Sequence, residues 1–397
     1  MTQAPLVGRP IRVLYLDHTA RLSGAELALA GLLAALDPSR VEPIVMLAED
    51  GPLRELLSGK GIQTHVLPMN ERIRQVRKDS LGVLGLLRQV RSLGALCRYA
   101  WRVGRFARCT GVDLIYANSL KADLYGAVAA RLCGIPLVWH VHDRIDERYL
   151  PRSSVWLLRL LARHLPRAVV ANSGSTLATL RLSRAMRTAV IANGLTPEHV
   201  ARSFGPPPRN NPARIGIVGR LTAWKGQHVF LEAAAQLLRR GVRARFIIVG
   251  SALFGEDAFE AQLRRQAAAL GIEAEVEFLG FRDVPPVLRT LDILVHASTI
   301  PEPFGQVITE GLAAGLPVIA TDGGGAREII EDGRTGVLVP MGDATALADA
   351  LAQLLAQPER ARRLAAAGRE HVLAHFTIDK SARRSEAFYE ELLRPST

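Results

Sequence analysis

Short apolar runs alternate with longer amphipathic or alanine-rich stretches along the whole chain. In the first half the apolar runs fall at residues 11–17, 42–47, 63–67, 113–117, 136–142 and 168–171, and 26–36 between the first two is rich in alanine and leucine. Four to seven nearly continuous apolar residues between helical stretches predict parallel strands buried on both faces. Residues 205–212, Gly-Pro-Pro-Pro-Arg-Asn-Asn-Pro, break the pattern as a linker. It restarts at 215–218, 245–249, 276–279, 293–296, 317–320 and 337–339. The expectation is an α/β chain of two doubly wound parallel-sheet domains, and 397 residues suit two domains better than one. The predicted boundaries are 1–200 and 201–375, followed by 376–397, which holds a helix over 379–393.

Open parallel sheets bind ligands beyond the carboxyl ends of their strands, so the loops there carry the chemistry. After the run 293–296 comes Pro301-Glu302-Pro303-Phe304-Gly305-Gln306-Val307-Ile308-Thr309-Glu310-Gly311. A glycine turn opening a helix offers free N–H groups to an anion. Two carboxylates beside it, Glu302 and Glu310, can meet sugar hydroxyls. Together they suggest a sugar nucleotide. A hydrolase dyad fits poorly, because eight helical residues rise about 12 Å, against the roughly 5–9.5 Å between glycosidase carboxyls.

Arg220 and Lys225 follow the run 215–218, where two cations can neutralise a diphosphate. His140 and His142 end a strand on one side of it; His142, followed by Asp143, is the first candidate and His140 the second. Gly24 opens a helix after Ser23, so its amide can approach a phosphate or an acceptor, and the loop is not the Gly-x-Gly-x-x-Gly of a nicotinamide enzyme. Gly250 and Phe281 each follow a strand.

These segments carry a family resemblance. The Glu302–Glu310 run resembles the Glu-x7-Glu signature of retaining glycosyltransferases of the GT-B class, family 4 (glycosyltransferase group 1) type. Val218-Gly219-Arg220-Leu221-Thr222-Ala223-Trp224-Lys225-Gly226 resembles that family's phosphate-binding segment, and the stretches 315–322 and 328–336 resemble later blocks in the same order. The resemblance implies two Rossmann-like domains facing a cleft, with the last helix crossing back to the first domain. It implies a nucleoside-diphosphate-sugar donor, bound mainly by the second domain, and a hydroxyl acceptor in the first. It gives His142, Arg220, Lys225 and Glu302 catalytic roles: Arg220 and Lys225 on the diphosphate, Glu302 and His142 on the sugar. Glu310 would hold the ribose, the amides of Phe304, Gly305, Gln306 and Val307 the phosphate or sugar, and Gly250 and Phe281 the nucleoside. The family often has Gly-Gly where this chain has Ser23-Gly24. No metal, cofactor or dedicated nucleophile is implied; the leaving phosphate takes the acceptor's proton. The alternatives are an epimerase or hydrolase of the same fold, and a non-catalytic basic membrane-binding protein.

Charge sharpens the acceptor side. The net charge is +12, and residues 1–200 hold 27 Lys/Arg against 15 Asp/Glu while 201–397 hold 23 of each. The stretch 71–108 has ten Arg/Lys against Glu71 and Asp79, interleaved with Leu84, Leu87, Leu93, Leu96, Trp101 and Phe106. That pattern fits a basic helix at an anionic membrane surface and a lipid-linked acceptor; Arg159 and Arg163 beside Trp156 form a second candidate. No RNA-binding aromatic motif accompanies the charge, which argues against a nucleic-acid partner. With no apolar leader, no membrane-length apolar run and three cysteines (Cys97, Cys109, Cys133) lacking metal spacing, the expected location is cytoplasmic, peripheral on the inner face of the membrane.

Overall fold

The structure, a computed structural model, describes residues 9–70, 90–205, 210–252 and 257–394. The chain forms two compact units, one running to Gly194 and resuming at Ile378, the other Leu195–Thr377. The first unit is a seven-stranded parallel sheet: β1 (Ile11–Asp17), β2 (Val41–Leu47), β3 (Gln63–Val66), β4 (Leu114–Ala117), β5 (Leu137–Val141), β6 (Ala168–Ala171) and β7 (Arg187–Val190). Their order across the sheet is β3-β2-β1-β4-β5-β6-β7. The order reverses direction between β1 and β4, so the loops after those strands diverge and leave room at the carboxyl edge.

One face of this sheet is covered by the helices Gly24–Ala35, Pro52–Gly59 and Ile378–Leu393, whose Leu29, Leu33, Leu53, Tyr389 and Leu392 pack on Val13, Tyr15 and Val45. The last of these helices is held by burial and by charge. Tyr389 lies against Tyr15 and Tyr116 with its hydroxyl 3.2 Å from that of Tyr15, and Arg40 bridges Glu386 at 2.5 Å and Glu390 at 2.7 Å. Full burial of a tyrosine ring is worth about 2–3 kcal/mol. The other face carries the helices Val90–Cys109, Leu120–Cys133 and Arg152–His164, through Tyr99, Val103, Tyr125, Val155 and Leu158.

The first part of the basic stretch, 71–89, lies outside the described residues, as do Pro206, Pro207, Pro208 and Arg209 of the linker. Helix Val90–Cys109 turns Tyr99, Ala100, Val103 and Ala107 inward and exposes Arg98, Trp101, Arg102, Arg105 and Arg108. Arg105 lies over the Trp101 ring at 5.7 Å. The second basic candidate differs from expectation. Arg159 donates to the carbonyls of Thr179 and Ile145, and Arg163 to that of Arg181. Those guanidiniums tie loops together, because their forks reach carbonyls left unsatisfied at loop and helix ends.

The second unit is a six-stranded parallel sheet: β8 (Ala213–Val218), β9 (Ala244–Val249), β10 (Val276–Gly280), β11 (Ile293–His296), β12 (Val318–Thr321) and β13 (Val337–Val339). Its order is β10-β9-β8-β11-β12-β13, with the reversal between β8 and β11. The unit begins at Leu195, ahead of the expected 201, and takes in the helix Pro197–Ser203, whose Arg202 pairs with Asp283 and which is followed by Phe204 stacked on Arg369 at 3.8 Å. It closes after Thr377 rather than 375, where the Leu195 amide bonds the Phe376 carbonyl at 2.8 Å.

Candidate functional site

The loops after β8 and β11, the neighbouring strands at the reversal, meet at Lys225 and Glu302. Gly226 has φ +75°, and a Cβ there would overlap the Ala297 carbonyl, so only glycine lets these two loops lie in contact. Gly324 is similar: φ is +62°, and a Cβ would run into the Glu302 backbone. The Gly325 amide bonds the Glu302 carbonyl at 2.9 Å. Glycine at these two positions therefore fixes where the Glu302 side chain starts.

That residue is 8% exposed and its carboxylate is fully paired. One oxygen accepts from Lys225 Nζ at 2.5 Å. The other is 2.6 Å from His296 Nε2 and accepts from Ser298 Oγ at 2.8 Å. Thr321, at the end of β12, donates to the Ser298 carbonyl at 2.8 Å and braces that loop. Burial alone would raise the carboxyl's pKa, but Lys225 and His296 outweigh it and hold Glu302 well below the usual carboxylate range. Lys225 also sits 4.7 Å from the centre of the Trp224 ring. Glu302 is thus a permanent anion with a cation parked on it.

Helix Gln306–Ala313 starts directly behind Gly305, which has φ +100° and provides no side-chain cap. No side chain of its N-cap residue competes for the first amides, the positive end of the helix that can meet an anion. Phe304 is buried against Phe376 at 6.0 Å between ring centres, so its side chain is core and only its backbone can reach a ligand. Glu310 lies one turn inside the helix. Burial pushes its carboxyl up to about 7, with Gln306 and the Lys225 charge opposing the rise. Glu302 and Glu310 therefore differ in kind at neutral pH: one fixed anion, one acid near its midpoint. Arg220 sits in the loop between β8 and Lys225, its carbonyl held by Gln227 Nε2 at 3.0 Å. Gly250 follows β9 with φ +138° and its amide bonds the Gly280 carbonyl. Phe281, next to Gly280, is 77% exposed, which leaves its ring open for stacking. The unit thus brings Lys225, Glu302 and Glu310 into one charge cluster. Sequence reasoning did not single out His296, Ser298 or Thr321; the signal was there, since a polar residue closing an apolar strand points into the carboxyl edge.

The first unit has its own polar edge. His142 follows β5, and its ring packs 3.9 Å from that of His140. His140 is 5% exposed, and burial together with His142 pushes its pKa well below the ordinary value, so it is neutral. A small pocket at this edge is lined by both histidines, Asn118, Leu29, Ile378 and Ser381 among others. Gly24 is the first residue of its helix, with nothing within 4 Å of a would-be Cβ. Ser23 makes no cap; its hydroxyl donates to Glu26 instead. Burial and the Asp17 charge raise the Glu26 carboxyl and, more strongly, that of Asp123, which is fully buried. Among the described residues no three His, Cys, Asp or Glu side chains converge as a metal site would require. No helix among them is long and apolar enough to cross a membrane.

Comparison with known proteins places both units. Residues 202–371 match the family model described as glycosyl transferases group 1, and residues 23–199 match that of glycosyltransferase family 4. The lipopolysaccharide core biosynthesis mannosyltransferase LpsB of Rhizobium meliloti is 30% identical over 57% of this chain and 66% of its own length. The 2-deoxystreptamine glucosyltransferase of Streptomyces kanamyceticus is 27% identical over 74% of this chain and 83% of its own. Another curated relative is matched over only 38% of its length. Among solved structures, Anabaena HepE in complex with UDP and glucose superposes with a TM-score of 0.77 at 28% identity, covering 96% of this chain and 99% of that one. Two family models in succession, a matching pair of parallel sheets and a full-length structural neighbour agree: the chain belongs to the group 1 glycosyltransferases of the GT-B fold.

Proposed function

We propose that the chain transfers a sugar, with retention of configuration, from a nucleoside-diphosphate sugar to a hydroxyl acceptor. The observation that carries this reading is the Lys225–Glu302 pair at the end of β8 and β11, beside an uncapped helix and a second carboxyl. In this reading the diphosphate lies on Arg220, Lys225 and the first amides of helix Gln306–Ala313. Lys225 is parked on Glu302 in the free protein and turns to the phosphate when donor arrives. Glu302 and His142 orient the sugar, Glu310 holds the ribose, and the Phe281 ring lies near the base. The bond from the anomeric carbon to the phosphate oxygen breaks as the acceptor oxygen attacks on the same face. The departing diphosphate takes the acceptor's proton, and the two cations stabilise its charge. The donor bound by HepE makes UDP-glucose the first to try. The test is product analysis with UDP-, GDP-, ADP- and dTDP-sugars, with and without glycan or lipid-linked acceptors. Acceptor-dependent release of nucleoside diphosphate, with the donor's anomeric configuration kept, is expected. Donor consumption without acceptor would instead identify an epimerase or hydrolase.

We further propose that the acceptor is anionic or lipid-linked and that helix Val90–Cys109 meets an anionic lipid surface. Its outer face sets Trp101, 51% exposed, among Arg98, Arg102 and Arg105, with no acid on the helix. Each cation near such a surface contributes about 1 kcal/mol. Weak co-sedimentation with vesicles containing anionic lipid is expected at low salt. It should vanish near 1 M salt, where the Debye length is about 3 Å, and in an Arg98/Arg102/Arg105 to Gln variant. Absence of binding by the wild type at low salt would leave a water-soluble acceptor as the better assignment.

A further inference from the structure

Three adjacent strand ends in the first unit carry a directed hydrogen-bond chain. β1, β4 and β5 are neighbours in the sheet, with Leu16 beside Ala117 and Ala117 beside Trp139. The residues just beyond them fall in line. Asp17 closes β1 and is fully buried, Asn118 follows β4 at 1% exposure, and His142 follows β5. Asn118 Nδ2 lies 2.9 Å from Asp17 Oδ2, and Asn118 Oδ1 lies 3.0 Å from His142 Nε2. The other Asp17 oxygen takes the Thr19 amide at 3.3 Å. Asn172 Nδ2 donates to the His142 carbonyl at 3.2 Å, which steadies the backbone from the far side.

Only one arrangement of protons satisfies this chain. A carboxylate accepts and cannot donate, so Asn118 must turn its NH2 to Asp17. Its carbonyl then faces His142, and Nε2 must carry the hydrogen. The amide's orientation, ordinarily ambiguous, is decided by Asp17. We infer that Asp17 and Asn118 are positioning residues that lock His142, whenever its ring is neutral, as the Nε2–H tautomer. Nδ1, which is buried, is then the unprotonated nitrogen and cannot donate to a carbonyl or phosphate. This deepens, and rests on, the proposed placement of His142 at the transferred sugar; the lock itself stands on geometry alone.

The test uses the full chain labelled with ¹⁵N and a long-range ¹H–¹⁵N histidine spectrum at about pH 8.5, where an ordinary histidine is neutral. Wild type should show His142 protonated at Nε2. In Asp17→Asn the direction is lost, because Asn118 can rotate; the spectrum should show mixed tautomers, and kcat should fall about tenfold or more with little change in donor KM. The swap Asp17→Asn/Asn118→Asp restores the direction, since Asn at 17 donates to Asp at 118, which accepts from Nε2–H. It should recover the single tautomer and most of kcat, which a merely structural hydrogen bond would not require. If Asp17→Asn does not fold, Asn118→Ala replaces it and should likewise give mixed tautomers. Wild-type His142 protonated at Nδ1, or an unchanged tautomer in both single variants, overturns the inference. A folded His142→Ala variant with normal turnover would instead remove the sugar-facing role and leave the lock standing.

Discussion

Lys225→Ala is expected to lose both turnover and stability, and Arg220→Ala to lose turnover. Both cations sit beyond β8, and removing either from a departing diphosphate should lower kcat by about 10²-fold or more. Their surroundings separate them. The Lys225 and Glu302 side chains are 17% and 10% exposed, in contact at 2.5 Å. Taking one member of such a pair away leaves a buried charge, which typically costs about 3–5 kcal/mol. Here His296 and Ser298 still bond the orphaned carboxylate, so about 2–3 kcal/mol is the better expectation. Steady-state kinetics and denaturant melts on both variants check this. A folded Arg220→Ala enzyme with near-normal turnover would take Arg220 off the diphosphate; a Lys225→Ala protein as stable as wild type would show that Glu302 does not need the lysine.

Much of this architecture was legible because parallel strands are nearly all apolar. Ile293–His296 and Ala168–Ala171 are buried throughout and stand out from any helical pattern. Glu302, Lys225 and Arg220 were legible because glycine turns mark strand ends. Their mutual contact was not. Lys225 and Glu302 lie 77 positions apart, and nothing in local pattern says that the loops after β8 and β11 touch; that follows from strand order, which depends on how the whole sheet assembles. His296 and Ser298 were missed for the same reason, since their roles exist only once Glu302 is placed. The arginines at 159 and 163 read as a lipid-facing stripe, yet their partners are carbonyls in distant loops, invisible to helical periodicity. The expected break at 200/201 falls inside the helix Pro197–Ser203, whose Arg202 pairs with Asp283 in the second unit, a partner no local pattern reveals.

Glu302 and Glu310 should fail in different ways, because the protein sets their charges in opposite directions. Glu302→Ala removes the anion proposed to face a sugar that becomes cationic, so kcat should fall about 10²-fold while nucleotide affinity changes little. Glu310→Ala should mainly weaken nucleoside diphosphate binding, by about tenfold, as loss of hydrogen bonds to a charged group does. The pH dependence separates them further. Glu302 is held well below its ordinary value by Lys225 and His296 despite burial, so its contribution to stability is present above about pH 4.5 and lost as acid approaches the folded value. Glu310 is raised by burial to about 7. Its ionisation therefore opposes folding: stability falls as pH rises from about 4.5 through about 7 and levels off above. At about 1.36 kcal/mol per unit, Glu310→Gln should be more stable than wild type by about 3 kcal/mol at pH 8 and equal to it near pH 4. Ribose hydroxyls donate best to the ionised carboxylate, so wild-type nucleotide affinity should weaken below about pH 7 while that of Glu310→Gln stays flat. Melts and titration calorimetry from pH 5 to 8 measure both. Equal nucleoside diphosphate affinity in Glu310→Ala and wild type at pH 8 would contradict the ribose role, and a Glu310→Gln protein with wild-type pH dependence of stability would show that Glu310 is not the group titrating near neutrality.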